Sequence, residues 1–275
     1  MTRLDVTWLD GGRTVDAFEV GERAVTLARL RTASLPALRA FVLGRTVFEK
    51  ATAALKGDAG AMMHLPQEAE EMVLRALRQL GGPVAVRRSA LPDAPLDQGL
   101  AQGEAYLHIM HPTDTIEAIR RLWSLALRSQ KPVAVIVQRF VVPDVSARVS
   151  EEGADVLVVE STYGVGDLLA SNLVVPDKHR VARTGNAILS RTVGRKSQMT
   201  IPRTDGGVVR VPVPVTSSRE LALEDRVVEQ LAAMWRDVEA AIGAITRLSA
   251  SLAGEKLAIT SAIARRGTTD ELMLG

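Results

Sequence analysis

Val84-Ala85-Val86-Arg87-Arg88-Ser89-Ala90 is the stretch on which the reading of this chain turns. Its apolar, β-branched run ends on a cation, the pattern of a strand that carries an arginine to the end of a sheet. On its own, Arg87 reads sooner as a strand-end surface residue than as a residue entering a cleft. The segment before it, 66–80, predicts a helix: Pro66 starts it, Glu68, Glu70 and Glu71 come early, and Gly81-Gly82 stop it. The segment after it, 89–103, is punctuated by Pro, Asp and Gly and reads as a loop.

Further out, 4–9 alternate like a short strand, and 20–30 and 44–56 predict helices, with Ala24, Leu27 and Leu30 on one face of the first. Beyond the loop, 114–129 predict a helix in which Asp114 and Glu117 make a capping-box-like start and Ile116, Ile119, Leu122, Trp123 and Leu127 a buried stripe. Residues 133–142 and 155–160 read as buried strands, and Tyr163 to Asp167 as a tight turn into a short helical segment. Several short strands fill 172–215. A long amphipathic helix is expected over 219–243, with Val227, Val228, Leu231, Met234, Trp235, Val238 and Ile242 inward, and a last strand over 256–263. Helices first, strands later and a closing helix and strand describe an α+β chain of two lobes around a cleft. The expected division is 1–130, 131–264 and a polar tail at 265–275.

Composition narrows the function. In 275 residues, Lys+Arg 34 against Asp+Glu 32 leaves a formal charge of +2, which argues against nucleic-acid binding by bulk charge despite a sequence pI of about 9.1. Aromatic residues, at 3%, are too few for base-stacking platforms. With no cysteine there is no disulfide, thiolate metal site or cysteine nucleophile. His64, His108, His111 and His179 show no paired metal spacing. No run approaches the roughly 18 apolar residues of a membrane span, and Asp5 interrupts any signal-peptide start. A soluble cytoplasmic protein without membrane or nucleic-acid partners is the expectation.

The motifs in order carry a resemblance. Val84 to Ala90 resembles the VAVRSSA motif of the N-terminal ATP-grasp domain shared by phosphoenolpyruvate synthase and pyruvate phosphate dikinase. Glu104 to Ile109 is similar to that family's ETYLNV, Leu122-Trp123-Ser124 to part of its CWASL, and Val133 to Ser146 to VAVVVQRMVxSDVSGV. Tyr163 to Asp167 resembles YGLGE, Val174 to Asp177 a V-x-P-D step, Lys196 to Met199 a K-x-x-M step, and Val20 to Ala24 a worn VGGKGA. Together these motifs run from about residue 20 to 264.

The resemblance implies an ATP-grasp-like domain with a nucleotide cleft, ATP as its ligand, and phosphoryl transfer to a histidine. Arg87 takes the phosphate-binding and catalytic position, and Arg23 and Lys196 the other phosphate contacts. Gln138, Arg139, Phe140 and Val141 form the adenine hinge, and Asp167 a ribose or metal contact. The family's DIEWA and LQARP motifs, which hold Mg²⁺ and the terminal phosphates, align without gaps to Arg247 and Ser249, and to Ser261 and Ile263. Both metal carboxylates are thereby lost, so Mg²⁺ and catalysis are in question and no metal ligand is assigned. Arg247 joins the candidate nucleotide contacts. The phosphate loop is also poor in glycine, with Gly99 and Gly103 alone and Leu91-Pro92-Asp93 where hydroxyl donors are expected. The family's phosphohistidine and phosphoenolpyruvate-binding parts have no counterpart in these residues, which points to a separate phosphohistidine-domain protein as acceptor. The alternative is a catalytically degenerate nucleotide sensor or interaction module. Finally, nine Lys and Arg residues between 178 and 219 face only Asp205 among nearby acids. They read as solvated strand edges or as a positive wall facing polyphosphate.

Overall fold

The computed structural model describes residues 4–12, 14–55, 64–93 and 105–265. The chain forms β1 (Thr7–Trp8), α1 (Ala17–Val20), α2 (Glu22–Thr32), β2 (Ala40–Leu43), α3 (Arg45–Thr52) with a 3-10 turn at Ala53–Leu55, α4 (Gln67–Leu80), β3 (Val84–Ser89), β4 (Ala105–Ile109), α5 (Pro112–Ser129) and β5 (Ala134–Arg139). It continues through β6 (Val145–Glu152), β7 (Val156–Tyr163), α6 (Asp167–Ala170), β8 (Asp177–Ala182), β9 (Ile188–Thr192), β10 (Gln198–Pro202), β11 (Val208–Pro212), α7 (Val215–Ser218), α8 (Asp225–Ile242), β12 (Ile245–Ala253) and β13 (Lys256–Ala264). Gly99, Gly103, Glu104 and the expected tail beyond Arg265 lie outside the described residues.

Among the described residues the strands form two antiparallel sheets and a ribbon. The first sheet has the order β1-β2-β5-β3-β4, the second β13-β12-β6-β7-β8-β9, and β10 pairs with β11 alone. This is the expected α+β arrangement of two lobes around a cleft. The period of two along each strand sorts the side chains. In β5, Val135 and Val137 enter a core shared with α3, α4 and α5, whereas Ala134 and Ile136 enter the core shared with α2 and the second sheet. In β3, Val84 and Val86 enter the helix-side core, so Ala85 and Arg87 face the opposite side. Trp123 and Trp235 are fully buried, one in each core.

The expected division at 131 falls just before β5, which lies at the centre of the first sheet between β2 and β3. In the other direction, α2 packs on β13 and α8, and Ile259 exchanges backbone hydrogen bonds with Pro36 (2.8 Å) and Leu38 (3.3 Å). The two lobes are therefore interleaved in sequence.

Four strands were not anticipated: β2, β4, β6 and β12. Of these, β6 (VSARVSEE) and β12 (ITRLSASLA) are built largely from small and polar residues and carry no long apolar run. Two helix starts also differ from expectation. The helix expected from Asp114 begins at Pro112, whose fixed φ suits the first turn. Glu117 does not close a capping box, because it is drawn along the helix to Arg120 (2.6 Å) and Arg121 (2.7 Å). The helix expected from 219 begins at Asp225, because the Ala222 N–H donates to Asp177 Oδ2 at 2.7 Å and holds that segment out of helical register.

The β10–β11 ribbon joins the lobes. At one end Val165 N–H donates to Thr200 O (2.8 Å). Gly164 there has φ +70, and an added Cβ would lie 2.2 Å from Thr200 O, so only glycine fits. At the other end Gly207 N–H donates to His108 O (2.8 Å), and His108 Nδ1 lies 3.2 Å from Gly207 O. Val208 packs against a small cluster of Ala85, Phe140 and Val165.

Candidate functional site

Between the sheets lies a cleft of about 480 Å³, within the range of ordinary ligand sites. Its floor comes from the outer-facing positions of β3 and β5, its far wall from β6, β12 and β13, and its rim from α6. Ala85, Leu107, Phe140 and Val165 cluster at one end and make it apolar.

The other end is cationic. Arg23, Arg87, Arg88, Arg139, Arg148 and Arg247 line it, and Asp167 is the carboxylate among the lining residues. Arg87 reaches it because the β3 alternation turns Ala85 and Arg87 to the cleft. Its Nε is buried and has no hydrogen-bond partner among the described residues. Burial first, and the Arg23 charge second, push its pKa down to about 10. Arg23 enters from α2, with Nη1 donating to Arg88 O at 3.2 Å. Burial and then Arg88 lower its pKa as well. Part of the Arg23 side chain nonetheless stays open to the cleft. These groups remain cations near neutral pH, which is costly unless an anion joins them.

The hinge supplies less than expected. Arg139 N–H donates to Arg39 O and Phe140 N–H to Pro83 O, both at 2.8 Å, so neither can read a base. Val141 N–H has no hydrogen-bond partner among the described residues and remains available. The Gln138 side chain is buried, and its Nε2 has no partner among the described residues. Phe140 packs against His108, with ring centroids 5.4 Å apart. Asp167 opens α6, and its Oδ1 is buried without a partner.

Lys196 does not join this group. It lines none of the cleft, and its Nζ is fully buried in an ion pair with Asp177. Asp177 Oδ1 also accepts from Gly194 N–H at 2.8 Å. The expected phosphate contact is thus a structural pair. Nor does any of the nine basic residues of 178–219 line the cleft, and most of them are paired with acids. Arg180 pairs with Glu152, Arg183 with Glu151 and Glu239, Arg191 with Asp225, and Arg203 with Asp205.

Arg247, Ser249, Ser261 and Ile263 all line the cleft, on facing strands in which Arg247 opposes Ile263 and Ser249 opposes Ser261. The donor set does not fit a divalent cation. Six arginines and one aspartate line the cleft, though Arg88 and Arg139 share the helix-side alternation of Val86 and Val137, and no group of three His, Cys, Asp or Glu among the described residues could hold a metal. Sequence reasoning missed Arg148. It lies on the unanticipated β6, directly opposite Glu160, and its Nε donates to Glu160 Oε2 at 2.8 Å. A strand reading of 145–152 would have turned Ser146 and Arg148 toward the cleft. Among the described residues no helix is long and apolar enough to cross a membrane.

The family described as pyruvate phosphate dikinase, AMP/ATP-binding domain, matches residues 49–248. A probable phosphoenolpyruvate synthase of Archaeoglobus fulgidus is 28% identical over 198 residues, 64% of this chain and 26% of that protein. A rifampicin phosphotransferase of Streptomyces sviceus is 28% identical over 202 residues, 65% of this chain and 23% of that protein. The chain spans about a quarter of the length of these curated relatives. Among solved structures, the D-alanine-D-alanine ligase of Helicobacter pylori is similar over 94% of this chain and 56% of that chain, at 10% identity and a TM-score of 0.43.

Proposed function

The chain belongs to the pyruvate phosphate dikinase AMP/ATP-binding domain family, and from that premise we propose that its cleft binds an adenine nucleotide through the arginine cluster. The observation that carries this reading is Arg87, a cation at the cleft floor whose Nε has no partner among the described residues. A guanidinium fork held there donates two parallel hydrogen bonds to phosphate oxygens. Arg23 adds charge from the α2 side. The base lies on the apolar end beside Phe140 and Leu107, where Val141 N–H donates to a ring nitrogen. Asp167 Oδ1 accepts from a ribose hydroxyl.

Binding without transfer is the reading favoured by the six arginines and one carboxylate lining the cleft. Phosphoryl transfer normally relies on divalent metal to neutralise charge developing on the phosphates. A second reading, transfer to a histidine on a separate phosphohistidine-domain protein, draws support from the similarity to a phosphotransferase.

Calorimetric titration of ATP, ADP and AMP tests the binding. ATP is expected to bind, Arg87→Ala to abolish binding, and Arg87→Lys to keep the charge but weaken binding by losing the fork. Unchanged affinity in Arg87→Ala removes this residue from the site.

A further inference from the structure

The far wall of the cleft carries a feature that nucleotide binding by Arg87 leaves unexplained. Arg247 of β12 and Arg148 of β6 lie on paired strands, with Arg148 opposite Ser249, two residues from Arg247. Their states differ. Arg148 is tied down by Glu160 at 2.8 Å and by Leu169 O at 3.1 Å, and Glu160 also holds Lys178 at 3.3 Å. The Arg247 guanidinium makes no hydrogen bond or ion pair among the described residues. Burial first and the Arg148 charge second disfavour its cationic form, with Glu160 opposing them in part. Ser249, Ser251, Thr260 and Ser261 line the same wall of the cleft, and across the strands Arg247 is flanked by Ile263 and Ser150. Hydroxyl donors and a free guanidinium suit anionic oxygens, whereas Mg²⁺ demands octahedral oxygen ligands, carboxylates among them.

We propose that this cleft takes its nucleotide as the free, metal-uncomplexed polyphosphate anion, with Arg247 supplying positive charge at the β12–β13 hairpin, so that Mg²⁺ competes with the protein for the ligand. The proposal rests on the nucleotide reading above. Its physical basis is that a divalent ion on the polyphosphate cancels part of the charge that draws it into the cleft. The ion also occupies the phosphate oxygens that the guanidinium groups would take. The arginines cannot coordinate the ion in return.

The test is calorimetric titration of ATP into the full chain, first with EDTA and then with Mg²⁺ in excess over ATP. ATP is expected to bind at least about tenfold more weakly in Mg²⁺, the equivalent of one charge-assisted contact. Equal or tighter binding in Mg²⁺ overturns this proposal and leaves the nucleotide reading standing. No heat in either condition, from protein shown to be folded, overturns both. Arg247→Gln is expected to weaken binding in EDTA about tenfold and to shrink the Mg²⁺ penalty, whereas Arg247→Lys keeps most of both. A full penalty in Arg247→Gln removes Arg247 from the proposal. The pair Arg247→Asp and Ser249→Glu restores two carboxylates to the wall and is expected to make Mg²⁺ strengthen binding. Thermal unfolding of each variant without ligand separates a lost site from a lost fold.

Discussion

Replacing Arg87 with methionine should stabilise the ligand-free protein while removing its response to nucleotide. In the free protein burial and the Arg23 charge push the Arg87 pKa from 12.5 down to about 10. That gap corresponds to about 3 kcal/mol acting against the charged form. Water in the open cleft screens part of it, so relief of about 1–2 kcal/mol is the reasonable expectation. Methionine keeps an unbranched stem in the same space and adapts to its walls. For a chain of this size each kcal/mol moves the unfolding midpoint by about 2–4 °C, so the variant should melt about 2–8 °C higher. The assay is thermal unfolding with and without saturating ATP. The wild type should rise on adding ATP, because a ligand bound only by the folded state stabilises it, and the variant should not. A ligand-free variant that melts lower than the wild type refutes the reasoning, since Arg87 would then be holding the fold through contacts of its own.

Lys196→Met strands the fully buried Asp177 carboxylate and should cost about 3–5 kcal/mol. The nucleotide affinity of whatever remains folded should not change, and a drop measured by calorimetry on folded variant would return Lys196 to the site. His179 is fully buried, and neither ring nitrogen has a hydrogen-bond partner among the described residues. Burial lowers its pKa from 6.5 and Arg191 adds to that, while Asp225 and Asp177 partly oppose. The unfolded chain therefore binds the proton more readily than the folded one. His179 should add no penalty above 6.5, and stability should fall with pH below it by at most about 1.4 kcal/mol per pH unit. Denaturant midpoints at about pH 7.5 and about pH 5.5 should show that loss in the wild type and a smaller one in His179→Leu; equal losses would exonerate the histidine.

The sequence disclosed what strong periodicity and special residues encode. The helix stripes around Trp123 and Trp235 were readable from apolar spacing, and the glycine stop at Gly81 from turn chemistry. The strand at Val84 was readable from its apolar run, whereas it was the resemblance of its motif, not its spacing, that put Arg87 in a cleft. The strands β6 and β12 were not readable, because their buried positions include Ser146, Ala147, Ala250 and Ser251, which carry little hydrophobic signal. Missing them also hid Arg148. Lys196 misled for a different reason. Its partner Asp177 lies 19 residues earlier, and only the fold brings the two together, so a charge that looked free in sequence is neutralised in space. The same holds for the basic strands, whose acids come from β6, α8 and the turn at Asp205. The segment expected as the hinge lines the cleft, but two of its N–H groups are taken by Arg39 and Pro83, neighbours that are remote in sequence.

The β10–β11 ribbon sets the way this molecule can breathe. It is fastened to Val165 at one end and to His108 at the other. Spreading the lobes at that side means breaking one fastening or the other and wetting Phe140 and Val208. Away from the ribbon a second tie, the backbone bonds of Ile259 to Pro36 and Leu38, also joins the lobes, so the ribbon is one of two straps across the cleft rather than a lone hinge.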